Sequence, residues 1–324
     1  MKKELYSLLK SEGVNNTKIL STLPLISSAM IFFQSQFLIL WAVSVTTSII
    51  LYSLLELFTG NKIFYKNMDL LFVYMIIIFP LLMPAHMPIA GAVTGSFIFS
   101  SFYVFLKKNG KNFLNPLIMG WAYIFFIYKQ NYILPEPSLL LKNYSNFNPD
   151  LVTGATPVAN YFLYGKDFEW SRIFLGLSLG TPAEIFIMAI FIGLFLQIAL
   201  RAISYRIIFT SVAGYIIPPA IYFFVNSGYI INMNWLNNIK NFIILGPFIF
   251  ILTFILDDGF SLPSSKKLKL FYGIIFGVLS STLQLSFKLK CGAGYILIFL
   301  PVIFFIIENK FYKNKSITTV ASDE

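Results

Sequence analysis

The sequence predicts an all-α integral membrane protein with about ten transmembrane helices and one long extracytoplasmic loop. Three observations predict it. Hydrophobic residues make up 57% of the 324 residues and charged residues 12%, against roughly 45–50% and roughly 25% in soluble domains. Uncharged runs such as 37–55, 185–200 and 242–256 approach or reach the roughly 17–25 residues that cross about 30 Å of hydrocarbon. These runs are continuous, whereas barrel strands are about ten residues of alternating polarity, so helices are selected over a barrel.

In chain order the candidate spans lie near 19–33, 36–55, 69–83, 88–106, 114–129, 184–200, 206–225, 240–256, 268–287 and 293–308. Those at 19–33, 69–83 and 114–129 are short, and are expected to be extended by flanking Tyr, Trp or Lys or packed inside the bundle. Five spans precede a polar stretch and five follow it. The expected organisation is a first five-helix half over 1–129, an extracytoplasmic loop over 130–183, a second five-helix half over 184–308 and a cytoplasmic tail over 309–324. An odd number of spans per half is what an inverted repeat would need, although no residue-level self-similarity accompanies it.

Charge sets the orientation. With the N-terminus inside, the cytoplasmic segments hold seventeen of the 24 Lys and Arg, including Lys2, Lys3, Lys107, Lys108, Arg201, Arg206, Lys266 and Lys269; seven lie outside, Lys129, Lys142 and Lys240 among them. Basic residues favour the cytoplasmic side, so both termini are expected there and the 130–183 loop outside. The net charge of +10 fits anchoring to anionic lipid and needs no nucleic-acid partner. A single Cys, Cys291, and a single His, His86, exclude an internal disulfide and argue against a zinc, haem or thiolate-ligated cluster built from this chain alone.

The polar loop carries Asp150-Leu151-Val152-Thr153-Gly154-Ala155-Thr156-Pro157. Gly154 permits a tight turn, and Pro157 biases Thr156 toward an extended backbone. No His or Lys inside the string would activate the Thr156 hydroxyl, so it is a poor nucleophile by itself and a reasonable substrate for an external transferase. The plain reading is a turn with local hydroxyl hydrogen bonds.

Other motifs accompany that string: Leu81-Leu82-Met83-Pro84 with Met87-Pro88, Gly110-Lys111-Asn112-Phe113-Leu114-Asn115-Pro116, Gly180-Thr181-Pro182-Ala183-Glu184, and Thr253 to Pro263 with Asp257-Asp258, followed by Tyr272-Gly273. Together they resemble the RnfD subunit of the Rnf electron-transport complex and its relative, the NqrB subunit of the sodium-translocating NADH:quinone reductase, over roughly residues 65–308. Asp150, Thr153, Gly154, Ala155 and Thr156 match that family's flavinylation signature. The resemblance implies FMN joined to Thr156 through a phosphoester bond, installed by an extracytoplasmic flavin transferase. It also implies a second, non-covalent riboflavin that no residue here locates. Partners would be the other subunits of an Rnf-like complex, with their iron–sulfur and flavin centres, in the inner membrane of a bacterial-type cell. Two departures stand out: Lys66-Asn67-Met68-Asp69 replaces the sodium pump's His/Glu-rich stretch, and Asp258-Gly259 stands where the pattern has Pro. These favour an Rnf-like member.

The remaining polar candidates are Glu184, Asp257, Asn112 and Asn115, for an ion or flavin path. Glu184 opens a helix, where a carboxylate is stabilised by the dipole; ionisable groups at membrane depth are also commonly functional. Asp257 and Asp258 end a helix, where Lys266, Lys267 and Lys269 are expected to offset them in a solvated turn. Asn112 and Asn115 read as ties for the helix beginning at Pro116. No residue is expected to act as a catalytic group or metal ligand. The function expected is a membrane electron-transfer subunit of an ion-translocating oxidoreductase. The alternative is a five-plus-five-helix secondary transporter without flavin, which gives no reason for the Asp150–Thr156 string.

Overall fold

The computed structural model describes residues 2–58, 69–110, 113–133, 161, 170–227, 233–244, 246–257, 261–287 and 292–320. A helix lies over each of the ten expected stretches, and no strand occurs among the described residues. In order they are α1 (Lys2–Phe58), α2 (Leu70–Ile78) running into a 3-10 turn (Phe79–Leu82), α3 (Ile89–Asn109), α4 (Pro116–Ile127), α5 (Lys129–Ile133), α6 (Trp170–Phe174), α7 (Pro182–Ile185), α8 (Ile187–Ala199), α9 (Tyr205–Asn226), α10 (Met233–Ile244), α11 (Phe248–Phe250) continuing as a π-helix (Ile251–Ile255), α12 (Lys266–Phe287) and α13 (Gly292–Val320).

Five helices are long and apolar enough to cross a membrane: Gly13–Phe58, Ile89–Asn109, Tyr205–Asn226, Lys266–Phe287 and Gly292–Lys310. A sixth results if Trp235–Ile244 and Phe248–Ile255, which meet at 58°, make one broken span. Leu70–Leu82, Pro116–Ile127 and Ile187–Ala199 are shorter apolar helices. The 46 residues from Gly13 to Phe58 extend about 69 Å at about 1.5 Å per residue, more than twice a hydrocarbon core of about 30 Å. The two expected spans in this stretch are divided at Gln34, whose φ of 49° and ψ of −128° are not helical.

The short helices are short for identifiable reasons. Asp69 caps α2 by accepting from the Leu71 N–H at 3.0 Å and also receives the Tyr103 hydroxyl at 3.1 Å. Pro80 lacks an N–H, and the chain tightens to a 3-10 turn that ends when the Met83 N–H bonds the Pro80 carbonyl at 3.1 Å. Asn115 caps α4, taking the Ile118 N–H at 3.2 Å, with Pro116 in the first helical position, where its missing N–H costs nothing. α3 stops at Gly110, whose φ of 58° is left-handed and suits glycine, with Lys107 and Lys108 in the last turn complementing the dipole.

Small residues set the packing. α9 crosses α12 at Gly214, Gly273 and Gly277, where a Cβ on Gly277 would lie 2.1 Å from the Ser211 carbonyl oxygen; bundles in lipid commonly use such close contacts. Across the same seam the Tyr215 hydroxyl donates to Gln284 Oε1 at 2.5 Å, and its ring stacks on Phe248 with centroids 3.6 Å apart. α1 meets α3 through Ser44 and Ser96, hydroxyl to hydroxyl at 2.8 Å. Beside that contact Tyr52, Phe72, Phe79, Phe99 and Tyr103 form a fully buried aromatic cluster.

Candidate functional site

The interrupted helices converge on one buried junction. Leu82 from the 3-10 turn, Ile118 and Trp121 from α4, Tyr132 from α5, Thr181, Ala183 and Glu184 at α7, Pro247 and Ile251 flanking α11, and Gly294 from α13 enclose a small cavity. Its volume of about 10 Å³ corresponds to roughly one water molecule. A water or a dehydrated cation is therefore on the right scale, and a flavin ring is not. The Tyr132 hydroxyl donates to the Leu82 carbonyl at 3.1 Å, pinning the end of the 3-10 turn to this junction.

Glu184 supplies the carboxylate. It sits at the third position of α7, 7% exposed, with Oε2 accepting the Thr181 N–H at 3.4 Å. The Glu184 N–H in turn bonds the Thr181 carbonyl at 2.9 Å. Gly180 is small because a Cβ there would reach 3.0 Å from Glu184 Oε2 and 2.7 Å from Ile185. Both readings of Glu184 from sequence thus have a structural counterpart: it closes the first turn of its helix, and it lines the cavity.

Asp257 lies six residues beyond Ile251, at the other end of the π-helix. It is half-buried, and the expected solvated turn is replaced by tethering. Its Oδ2 accepts the Ser204 N–H at 2.8 Å, and its carbonyl receives the Lys18 ammonium. The physical reason is position: Asp257 faces the α8–α9 connection and α1, while Lys266 and Lys269 line a separate cavity with Arg201 and Arg206. Asn115 is buried as the cap of α4, the helix whose Ile118 and Trp121 wall the Glu184 cavity. Asn112, Asp150, Thr153, Gly154, Ala155 and Thr156 lie outside the described residues.

Several polar groups were not anticipated. Lys18 is 3% exposed and lies 5.8 Å from the Tyr74 ring centroid. The Tyr74 hydroxyl donates to the Phe254 carbonyl at 2.8 Å, a carbonyl within the π-helix. Gln197 Nε2 donates to Ser21 Oγ at 2.9 Å. These form a polar seam between α1, α8 and the π-helix, running from the Glu184 cavity toward Asp257. Gln197 was visible as the one amide in the apolar run 185–200; its partner, 176 residues away, was not. Single π turns inside helices are frequent at functional positions.

The sequence profile of the NQR2, RnfD, RnfE family matches residues 7–316. This chain belongs to that family. Among curated relatives, the NqrB subunit of the Na(+)-translocating NADH-quinone reductase of Yersinia pestis is 26% identical over 234 residues, covering 65% of this chain and 51% of the relative. The proteins of the same description from Klebsiella pneumoniae (strain MGH 78578) and Neisseria meningitidis serogroup A are 28% and 27% identical, each over 63% of this chain and 50% of the relative. The chain spans about half the length of the curated relatives it matches. In this family member the Glu184 junction, Asp257 and Asn115 all fall inside the matched segment.

Proposed function

We propose that this chain is a membrane subunit of a redox-driven, ion-translocating oxidoreductase of the NADH-quinone or Rnf type, and that it carries FMN on the Thr156 hydroxyl. The family match over residues 7–316 supports the first part. The string from Asp150 to Thr156 carries the second, because all five signature positions, Asp150, Thr153, Gly154, Ala155 and Thr156, agree with the flavinylation motif. Bound there, the flavin supplies one- and two-electron chemistry, and the protein's task is to place it. Of this chain's residues, Thr156 offers the hydroxyl, Gly154 the turn and Pro157 the extended backbone. A riboflavin, if a second flavin is held, has no room in the cavity beside Glu184.

The arrangement proposed is ten spans in two five-helix halves, both termini cytoplasmic and the Thr156 loop outside. Its support is the basic-residue asymmetry and the packing: α3 lies between α1 and α4 as α12 lies between α9 and α13. Partners are the other subunits of such a complex, bearing iron–sulfur and flavin groups, and an extracytoplasmic flavin transferase. Glu184, the π-helix and Asp257 are the proposed route by which a cation is passed, since carboxylates at membrane depth are expensive to retain without a function.

The interrupted helices also favour the rival reading, a secondary transporter without flavin. Expression with a flavin transferase, denaturing electrophoresis and in-gel fluorescence separate the two. The wild-type band is expected to fluoresce and Thr156→Ala to be dark while still inserted in the membrane. A dark wild-type band made with the transferase present would overturn the flavin assignment.

A further inference from the structure

A second cavity, of about 590 Å³, opens between the α8–α9 connection and the start of α12. That volume is in the range of small-molecule sites, roughly 300–1,000 Å³. Arg201, Arg206, Lys266 and Lys269 line it, over an apolar floor that includes Ile207 and Leu270. No acidic side chain is among its described lining residues, and among the described residues none of the four cations is held in an ion pair. Asp257, the acid adjoining the site, is engaged by the Ser204 N–H.

The backbone at Arg201 is an independent observation. α8 ends with the Ala202 N–H on the Gln197 carbonyl at 2.8 Å and the Arg201 N–H on the Ile198 carbonyl at 3.1 Å, the paired bonds of a left-handed helix terminus. Arg201 takes the left-handed position itself, at φ 55°, where glycine is favoured and a side chain is strained. The sequence accepts that strain and places the guanidinium in the cavity. Strained residues of this kind gather at ligand sites.

The third observation is location. α9 and α12 both have the length and apolarity of membrane spans, and the cavity sits at the ends where they begin, which is where lipid headgroups lie. Along the same two helices Phe209 and Phe271 are 69% and 61% exposed, as acyl-facing side chains would be. Cations above an apolar, lipid-facing strip complement one ligand chemistry, a phosphate diester carrying hydrocarbon chains.

We propose that this cavity is a binding site for an anionic phospholipid, its phosphate held by Arg201, Arg206, Lys266 and Lys269 and its chains laid along Phe209 and Phe271. The proposal rests on the membrane reading of the chain and is independent of the flavin on Thr156. The test is native mass spectrometry of the full chain released from nanodiscs that mix phosphatidylglycerol with phosphatidylcholine. Wild type is expected to retain phosphatidylglycerol selectively, with retention falling about fivefold for each cation removed in Arg201→Gln and Lys269→Gln. Arg201→Gly is the discriminating variant: it relieves the backbone strain, so its thermal stability should hold or rise while phosphatidylglycerol retention falls. Arg201→Lys should keep most of the retention. Equal retention of both lipids by wild type, or retention unchanged in Arg201→Gly and Lys269→Gln, would overturn the site. Displacement of the bound mass by millimolar inorganic phosphate or a nucleotide would overturn the lipid as its ligand and assign the cations to a soluble phosphate.

Discussion

Substituting Gly277 by alanine tests the central seam of the bundle. The added Cβ would stand 2.1 Å from the Ser211 carbonyl oxygen and 2.6 Å from the Tyr215 nitrogen. Both are backbone atoms of α9, so no side chain can rotate out of the way. Relief to an ordinary contact of about 3.4 Å requires α9 and α12 to part by about 1 Å. Overpacking of this kind costs about 1–3 kcal/mol, and two further interactions depend on the same spacing. The Tyr215 hydroxyl bond to Gln284 Oε1, 2.5 Å long, would stretch, and a buried neutral hydrogen bond is worth about 0.5–1.5 kcal/mol. The Tyr215–Phe248 stack at 3.6 Å would loosen, and Phe248 adjoins Pro247 in the wall of the Glu184 junction. A total loss of about 2–4 kcal/mol follows from these terms. Thermal unfolding of the detergent-solubilised protein, followed by monodispersity after heating, measures it. Gly13→Ala is the control: nothing lies within 4 Å of a Cβ there, and alanine in a helix should be neutral or stabilising by up to about 1 kcal/mol. A Gly277→Ala protein as heat-resistant as wild type, alongside a well-behaved control, would refute the close contact of α9 with α12.

The remaining predictions concern the polar groups and the orientation. Glu184→Gln keeps an acceptor for the Thr181 N–H, so stability should change by no more than about 1 kcal/mol, while ion-gradient formation by the assembled complex falls relative to its electron-transfer rate; a gradient equal to wild type would restrict Glu184 to closing its helix. Gln197→Leu removes the bond to Ser21 but also a buried Oε1 that has no partner among the described residues, so the two effects of about 1 kcal/mol each offset; a loss well above that would mean the amide is held for stability. For orientation, a cysteine placed at Asn146 should be labelled from outside intact cells and one at Lys108 should not, with labelling at Lys108 reversing the assignment.

The helical stretches were legible because hydropathy reports burial in lipid directly. Proline and asparagine marked several ends as well: Pro80 tightens the end of α2, and Asn115-Pro116 opens α4 with a side-chain cap and a residue that needs no N–H. What hydropathy cannot report is an interruption that leaves composition unchanged. Phe186 ends α7 and precedes α8 at φ −94° and ψ 56°, inside a run that reads as uniformly apolar. Gln34 breaks α1 at a positive φ with neither glycine nor proline beside it. The π-helix from Ile251 to Ile255 likewise has no signature in its residue types. The candidate site was legible one residue at a time, as Glu184 and Asn115, but its shape depends on contacts between elements far apart in sequence. Lys18 illustrates the difference: counted as one more basic residue for orientation, it is buried against Tyr74 and reaches the Asp257 carbonyl.

The position of the interruptions bears on why the short helices exist. Backbone that leaves the helix at membrane depth has unpaired polar groups, and it is tolerated only where protein surrounds it or a polar cavity receives it. The breaks after Pro80, before Thr181 and at Gly246–Pro247 bring residues to one junction, where they can satisfy one another: Tyr132 takes the Leu82 carbonyl and Glu184 takes the Thr181 N–H. A structural plug alone would be served by a neutral acceptor at position 184. A carboxylate placed among Ile118, Trp121 and Ile251 carries a desolvation penalty that a neutral acceptor avoids. The charge is therefore the feature that packing does not require, and the cavity beside it is of a size for a single water or a bare cation. From that cavity the π-helix leads along Tyr74 and past Lys18 to Asp257, so the second acid stands at the end of the one segment whose carbonyls are drawn off by side chains. That ordering, carboxylate, π-turn, carboxylate, favours passage of a cation over a purely structural junction.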